Sequence, residues 1–99
     1  MTRLADIADK IRSKNAGPFW LTIDIFCGEP AAFARVSTAL ETETVAALFQ
    51  ISPDTLKRFD LADLKVVKFS LPRPNVQGTP ADRDMHGASF ANLLADLNV

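Results

Sequence analysis

From Phe19 to Phe26 the side chains alternate. Phe19, Leu21, Ile23 and Ile25 fall on one face of an extended chain, and Trp20, Thr22, Asp24 and Phe26 on the other. A period of two predicts a strand, and because its second face also carries Trp20 and Phe26, that face needs cover from another element or from a partner chain. A second strand is predicted over residues 64–71, where Val67, Phe69 and Leu71 share one side and Val66, Lys68 and Ser70 the other. Elsewhere the period lengthens. Leu4, Ile7, Ala8 and Ile11 have the i, i+3, i+4, i+7 spacing of one helical face and predict a helix over residues 3–12 with Thr2 as its cap; Leu4-Ala5-Asp6-Ile7-Ala8 also permits an edge strand. Asn15-Ala16-Gly17-Pro18 ends that element.

Gly28-Glu29-Pro30 closes the first strand and places a proline in the first turn of a helix marked by Phe33, Val36 and Leu40. Thr42 caps the next helix, whose inward stripe is Val45, Leu48 and Phe49. Ser52-Pro53-Asp54-Thr55 opens a further helical turn with Leu56 and Phe59 as its apolar residues. Residues 72–87, punctuated by Pro72, Pro74, Gly78, Pro80 and Gly87, predict a long loop. Phe90, Leu93, Leu94 and Leu97 predict a closing helix over residues 88–97. Strands and helices together make an α+β domain.

Length and charge narrow the function classes. Ninety-nine residues suffice for one hydrophobic core, so the whole chain, 1–99, is read as a single domain. Eleven basic residues against twelve acidic ones supply no net positive field, which argues against a nucleic-acid partner or an anionic membrane surface. The single Cys27 has no Cys or His at metal-ligand spacing, so neither a disulfide, a metal nor a cofactor is expected. The charged start of the chain and the shortness of its apolar runs lead to a cytoplasmic reading.

Two stretches offer chemistry. Arg12-Ser13-Lys14-Asn15-Ala16-Gly17 is read as a turn carrying two cations, a hydroxyl and an amide, suited to a carboxylate or phosphate because Arg presents a planar fork and Lys a point charge. The bland alternative is a solvated helix end. The second stretch lies between Arg73 and Gly87, where Asp82, Arg83, Asp84 and His86 gather. Histidine titrates near neutral pH and a carboxylate can orient it, which makes His86 and Asp84 candidate catalytic residues and Arg73 and Arg83 candidate ligand-binding ones. Solvated surface charge is the competing account. Cys27, at a strand end with no basic neighbour in sequence, reads as a small buried hydrophobe. Trp20 and Phe26 are candidate interface residues.

The run from Ile11 to Phe26, with Phe69-Ser70-Leu71-Pro72-Arg73-Pro74 and Asp84-x-His86-Gly87, resembles a bacterial family numbered 4387 among the domains of unknown function, over nearly the whole chain. The layout is also similar to the small ferredoxin-like domain of the AtuA-type (acyclic terpene utilisation) proteins. There an Arg-Ser-Gly-Asp-Lys-Gly segment leads into a strand; Arg12 and Ser13 match it, and Lys14-Asn15-Ala16-Gly17 departs from it. These resemblances imply a small two-layer, ferredoxin-like sandwich with a short antiparallel sheet and helices on one face. They also imply an accessory subunit working beside an AtuA-type large protein, or as a homo-oligomer, in catabolism of organic acids or acyl compounds. A self-contained lyase or hydrolase acting on a carboxylic acid, and a small-molecule-binding regulatory module, are the alternatives. The accessory reading requires that the aromatic side of the first strand be left uncovered by the chain's own helices.

Overall fold

The computed structural model describes residues 2–17, 19–72, 91 and 94–99. A single helical turn, α1 (Leu4–Ile7), precedes the hairpin β1 (Lys10–Asn15) and β2 (Trp20–Phe26). Two helices follow, α2 (Pro30–Ala39) and α3 (Thr42–Leu48), then a 3₁₀ turn at Pro53–Thr55 and a second hairpin, β3 (Lys57–Leu61) and β4 (Val66–Pro72). The four strands form one antiparallel sheet in the order β1-β2-β4-β3. Ala91 and residues 94–95 are helical.

Alternation decides which side of the sheet is buried. Leu21, Ile23 and Ile25 of β2 and Val67, Phe69 and Leu71 of β4 point the same way and are fully buried. Against them pack Leu4 of α1, Val36 and Leu40 of α2, Val45 and Ala46 of α3, and Leu94. The described helices therefore lie on one face, giving the α+β two-layer sandwich expected from the sequence. The path through the layers is hairpin, helical pair, hairpin, rather than the β-α-β-β-α-β route of the ferredoxin-like topology.

Glycine is required where each of two turns takes a positive φ. Gly17 (φ 83°) sits in the β1–β2 hairpin, closed by the Ala16 amide donating to the Trp20 carbonyl at 2.9 Å, and Gly28 (φ 78°) turns the chain from β2 toward α2. Helix α3 ends in a paired C-terminal motif. The amide of Ile51 donates to the Ala46 carbonyl (3.0 Å) and that of Gln50 to Ala47 (3.1 Å), with Gln50 itself at φ 58°. Ser52 caps the 3₁₀ turn as predicted, its hydroxyl accepting from the Asp54 amide at 3.4 Å.

Arg58 holds the two layers together at the β3 edge. It stands on the helix side of the sheet opposite Phe69, where its guanidinium lies 5.5 Å from the ring, and it donates to the carbonyls of Ser37 (2.8 Å) and Leu40 (2.5 Å) at the end of α2. The Asp60 carboxylate accepts from Arg58 Nε at 2.8 Å. One side chain thereby satisfies carbonyls that a helix end leaves without intrahelical partners.

Four sequence expectations are corrected. The helix predicted over residues 3–12 is only the turn Leu4–Ile7, with Arg3 in place of Thr2 at the cap, and β1 begins at Lys10. Ile11 packs against the core from β1, so its helical spacing from Leu4 and Ile7 does not mark a continuous helix. Phe59 belongs to β3 rather than to the turn after Ser52 and is 48% exposed. Phe19 precedes β2 and is exposed instead of joining Leu21 in the core. Helix α3 starts at Thr42 with Glu41 at the cap position. The predicted loop of residues 72–87 and half of the closing helix lie outside the described residues, apart from Pro72, which ends β4.

Candidate functional site: the helix-free face of the sheet

The side of the sheet away from the helices is built by the other half of the alternation. Reading the register across β1-β2-β4-β3, the face consists of cross-strand rows: Lys10, Phe26, Val66, Leu61; then Arg12, Asp24, Lys68, Phe59; then Lys14, Thr22, Ser70, Lys57; with Trp20 beside Pro72 at the end. Trp20 is 39% exposed, Phe59 48% and Leu61 37%, and Phe26 is half-buried. Two lysines lie over rings. Lys57 Nζ is 5.5 Å from the Trp20 ring centre, and Lys10 Nζ is 4.9 Å from that of Phe26.

The charge on this face is one-sided. Among the described residues it carries five of the nine basic ones and, in Asp24, one of the ten acidic ones, which leaves four basic against nine acidic elsewhere. A protein of net charge −1 thus presents one cationic surface. The ion pairs among the described residues are Arg3–Asp96 and Arg58–Asp60, both away from it.

Thr22 is the buried polar residue of the face. Flanked by Trp20 and Asp24 along its strand and by Lys14 and Ser70 across it, it is 9% exposed, and its hydroxyl oxygen has no hydrogen-bond partner. A buried hydroxyl left unpaired costs about 1–3 kcal/mol, so such groups are normally satisfied.

The structure redistributes the residues singled out in the sequence. Arg12, Ser13, Lys14 and Asn15 form no turn; they are consecutive positions of β1, and the pleat sends Arg12 and Lys14 to the helix-free face while Ser13 and Asn15 face the helices. Ser13 is engaged there, its hydroxyl accepting from the Ala91 amide at 2.9 Å. The four therefore cannot converge on one ligand as a turn would allow. Trp20 and Phe26 share the helix-free face as expected, at opposite ends of β2. Arg73, Arg83, Asp84 and His86 lie outside the described residues. Lys10, Lys57, Lys68, Thr22, Phe59 and Leu61 escaped sequence reasoning. A signal existed for Lys10, in the cation at every second position of Lys10-Ile11-Arg12-Ser13-Lys14, which is the period of a strand.

A groove of about 550 Å³ opens elsewhere, between α1, the end of β2 and the start of α2, lined by Ile7, Ala8, Asp9, Cys27, Glu29 and Ala32 among others. Asp9 and Glu29 make its mouth acidic. Cys27 is buried beneath it, 3% exposed, and its thiol is raised above the ordinary value by desolvation, which disfavours the thiolate a nucleophile would need. The sequence reading of Cys27 as a small buried hydrophobe agrees with this. Among the described residues no three His, Cys, Asp or Glu side chains gather as metal ligands, and no helix is long and apolar enough to cross a membrane.

No curated protein and no solved structure matches the chain. The comparison with known families does find a match, spanning residues 4–98 and so both hairpins and the helices between them. On that match, the chain belongs to the family described as a domain of unknown function, DUF4387.

Proposed function

We propose that this domain is an accessory subunit that docks a larger protein through the helix-free face of its sheet, the expected partner being an AtuA-type large protein of organic-acid or acyl-compound catabolism. The observation that carries the reading is the exposure of Trp20, Phe59 and Leu61 on a sheet face that no described helix covers. Exposed aromatic side chains are enriched at interface centres, where Trp is among the residues that dominate binding energy, and the surrounding cations suit a charged rim. Charge argues for a different protein over a second copy. Face-to-face packing of two identical sheets would set five cations against five, whereas an acidic surface would be complementary.

The test is isothermal titration of the large protein with this chain and with its Trp20→Ala/Phe59→Ala variant. Micromolar or tighter association that weakens by about thirtyfold or more in the variant is expected, because truncating two central aromatics removes roughly 2–4 kcal/mol of binding. Absence of binding by the parent chain at micromolar concentration overturns the proposal.

A further inference from the structure

We propose that the cross-strand row Lys14, Thr22, Ser70, Lys57 is an oxyanion site that takes a carboxylate or a phosphate. The register places the Thr22 and Ser70 hydroxyls side by side on the two central strands, with one lysine on the next strand at each end. Neighbouring strands are about 4.8 Å apart, so the row spans roughly 14 Å, and two lysine side chains inclined toward its middle can reach one small anion above the hydroxyls. The Lys57 ammonium is held on this side of the sheet, 5.5 Å from the Trp20 ring centre.

Thr22 gives the site its specificity. Thr22 is nine-tenths buried, its hydroxyl oxygen is covered and has no partner within the protein, and its side chain stands on the cationic face between those of Lys14 and Ser70, so an acceptor oxygen that enters as these two side chains part supplies the missing bond. A hydroxyl donating to an oxyanion forms one of the stronger hydrogen bonds, and the adjacent Ser70 offers a second donor. Arg12 and Lys68, one row away, extend the positive field, and Asp24 is its single acidic member among the described residues. That excess excludes a metal cation and favours an anion. The oxyanion comes either from a free small acid or from a carboxylate on the docked protein. Only the second source rests on the docking proposal.

The experiment titrates the full chain, at low ionic strength, with inorganic phosphate and with succinate, following backbone amide resonances, and measures affinity for the large protein in parallel. The variants are Thr22→Val, which keeps the shape and removes the unpaired hydroxyl, and Lys14→Ala/Lys57→Ala. Thr22→Val folds at least as stably as the parent, since it replaces an unsatisfied buried hydroxyl with a methyl group. A free acid as the source gives saturable shifts centred on Thr22 and Ser70, weakened about tenfold in both variants. A partner carboxylate as the source gives no saturable shift with either small acid and a loss of about tenfold in affinity for the large protein in both variants. If both variants match the parent in all titrations, or the shifts spread over every basic residue alike, there is no site. Failure of the Trp20/Phe59 test with retention of the phosphate or succinate shifts removes the docking reading and leaves the oxyanion site standing.

Discussion

Single residues set the largest local effects, and two permit direct tests. Arg58 occupies a helix-side sheet position where an apolar residue would be usual, and earns it by reaching the α2 carbonyls of Ser37 and Leu40. Arg58→Ala leaves both carbonyls and Asp60 without this donor, and urea unfolding is expected to show a loss of about 3 kcal/mol, with Arg58→Lys recovering part of it. Cys27 tests burial. Its native pKa lies above the ordinary 9.0, so the native state holds the thiol proton more tightly than the unfolded chain. The stabilisation is complete below the unfolded value and is lost as pH rises through the native one. The urea midpoint should therefore fall above about pH 9, and fall less in Cys27→Ala, while the native thiol reacts with iodoacetamide only as fast as the chain opens.

At the scale of elements, the C-terminus of α3 offers a stabilising change. Gln50 adopts the left-handed conformation that closes the helix, where a side chain is strained and glycine is not. Gln50→Gly is expected to raise stability by about 1 kcal/mol in the same unfolding measurement. The elements also show what the sequence could disclose. Strands β2 and β4 were legible because both are central and one whole face of each is apolar, and α2 and α3 because their inward residues repeat at helical spacing. The edge strands were not. β1 contributes Ile11 as its one large apolar residue, and β3, only five residues long, fills its helix-side positions with Arg58 and Asp60 and turns Phe59 and Leu61 outward, so neither shows an apolar inward face. The same gap hid the candidate site. Lys14 and Lys57 lie 43 positions apart in sequence, and only pairing with β2 and β4 puts them in one row with Thr22 and Ser70. Trp20 and Phe26, both on one strand, could be placed on a common face by counting.

For the molecule as a whole, the two chain ends are tied to each other. The Leu4 amide donates to the Leu97 carbonyl at 2.7 Å, that of Val99 to Thr2 at 2.9 Å, and Arg35 to the Val99 carbonyl at 3.1 Å, while Arg3 pairs with Asp96. Leu97 and Val99 also pack against the core. Removing residues 97–99 is expected to lower stability by about 2 kcal/mol and to release the Leu4 amide to hydrogen exchange, as read by urea unfolding and deuterium labelling.

The central pairing of β2 with β4 has a kinetic consequence. Phe26 meets Val66 only after residues 27–65 have been gathered into a loop, and each of the three strand pairings in the sheet includes β2 or β4. The two hairpins can close early from local contacts, but the barrier to refolding belongs to bringing them together over the collapsed helices, a search whose entropy is spent before the long-range contacts repay it. The chain should accordingly refold more slowly than a helical bundle of its size, and substitutions at the β2–β4 seam should slow refolding where those in the hairpin turns mainly hasten unfolding.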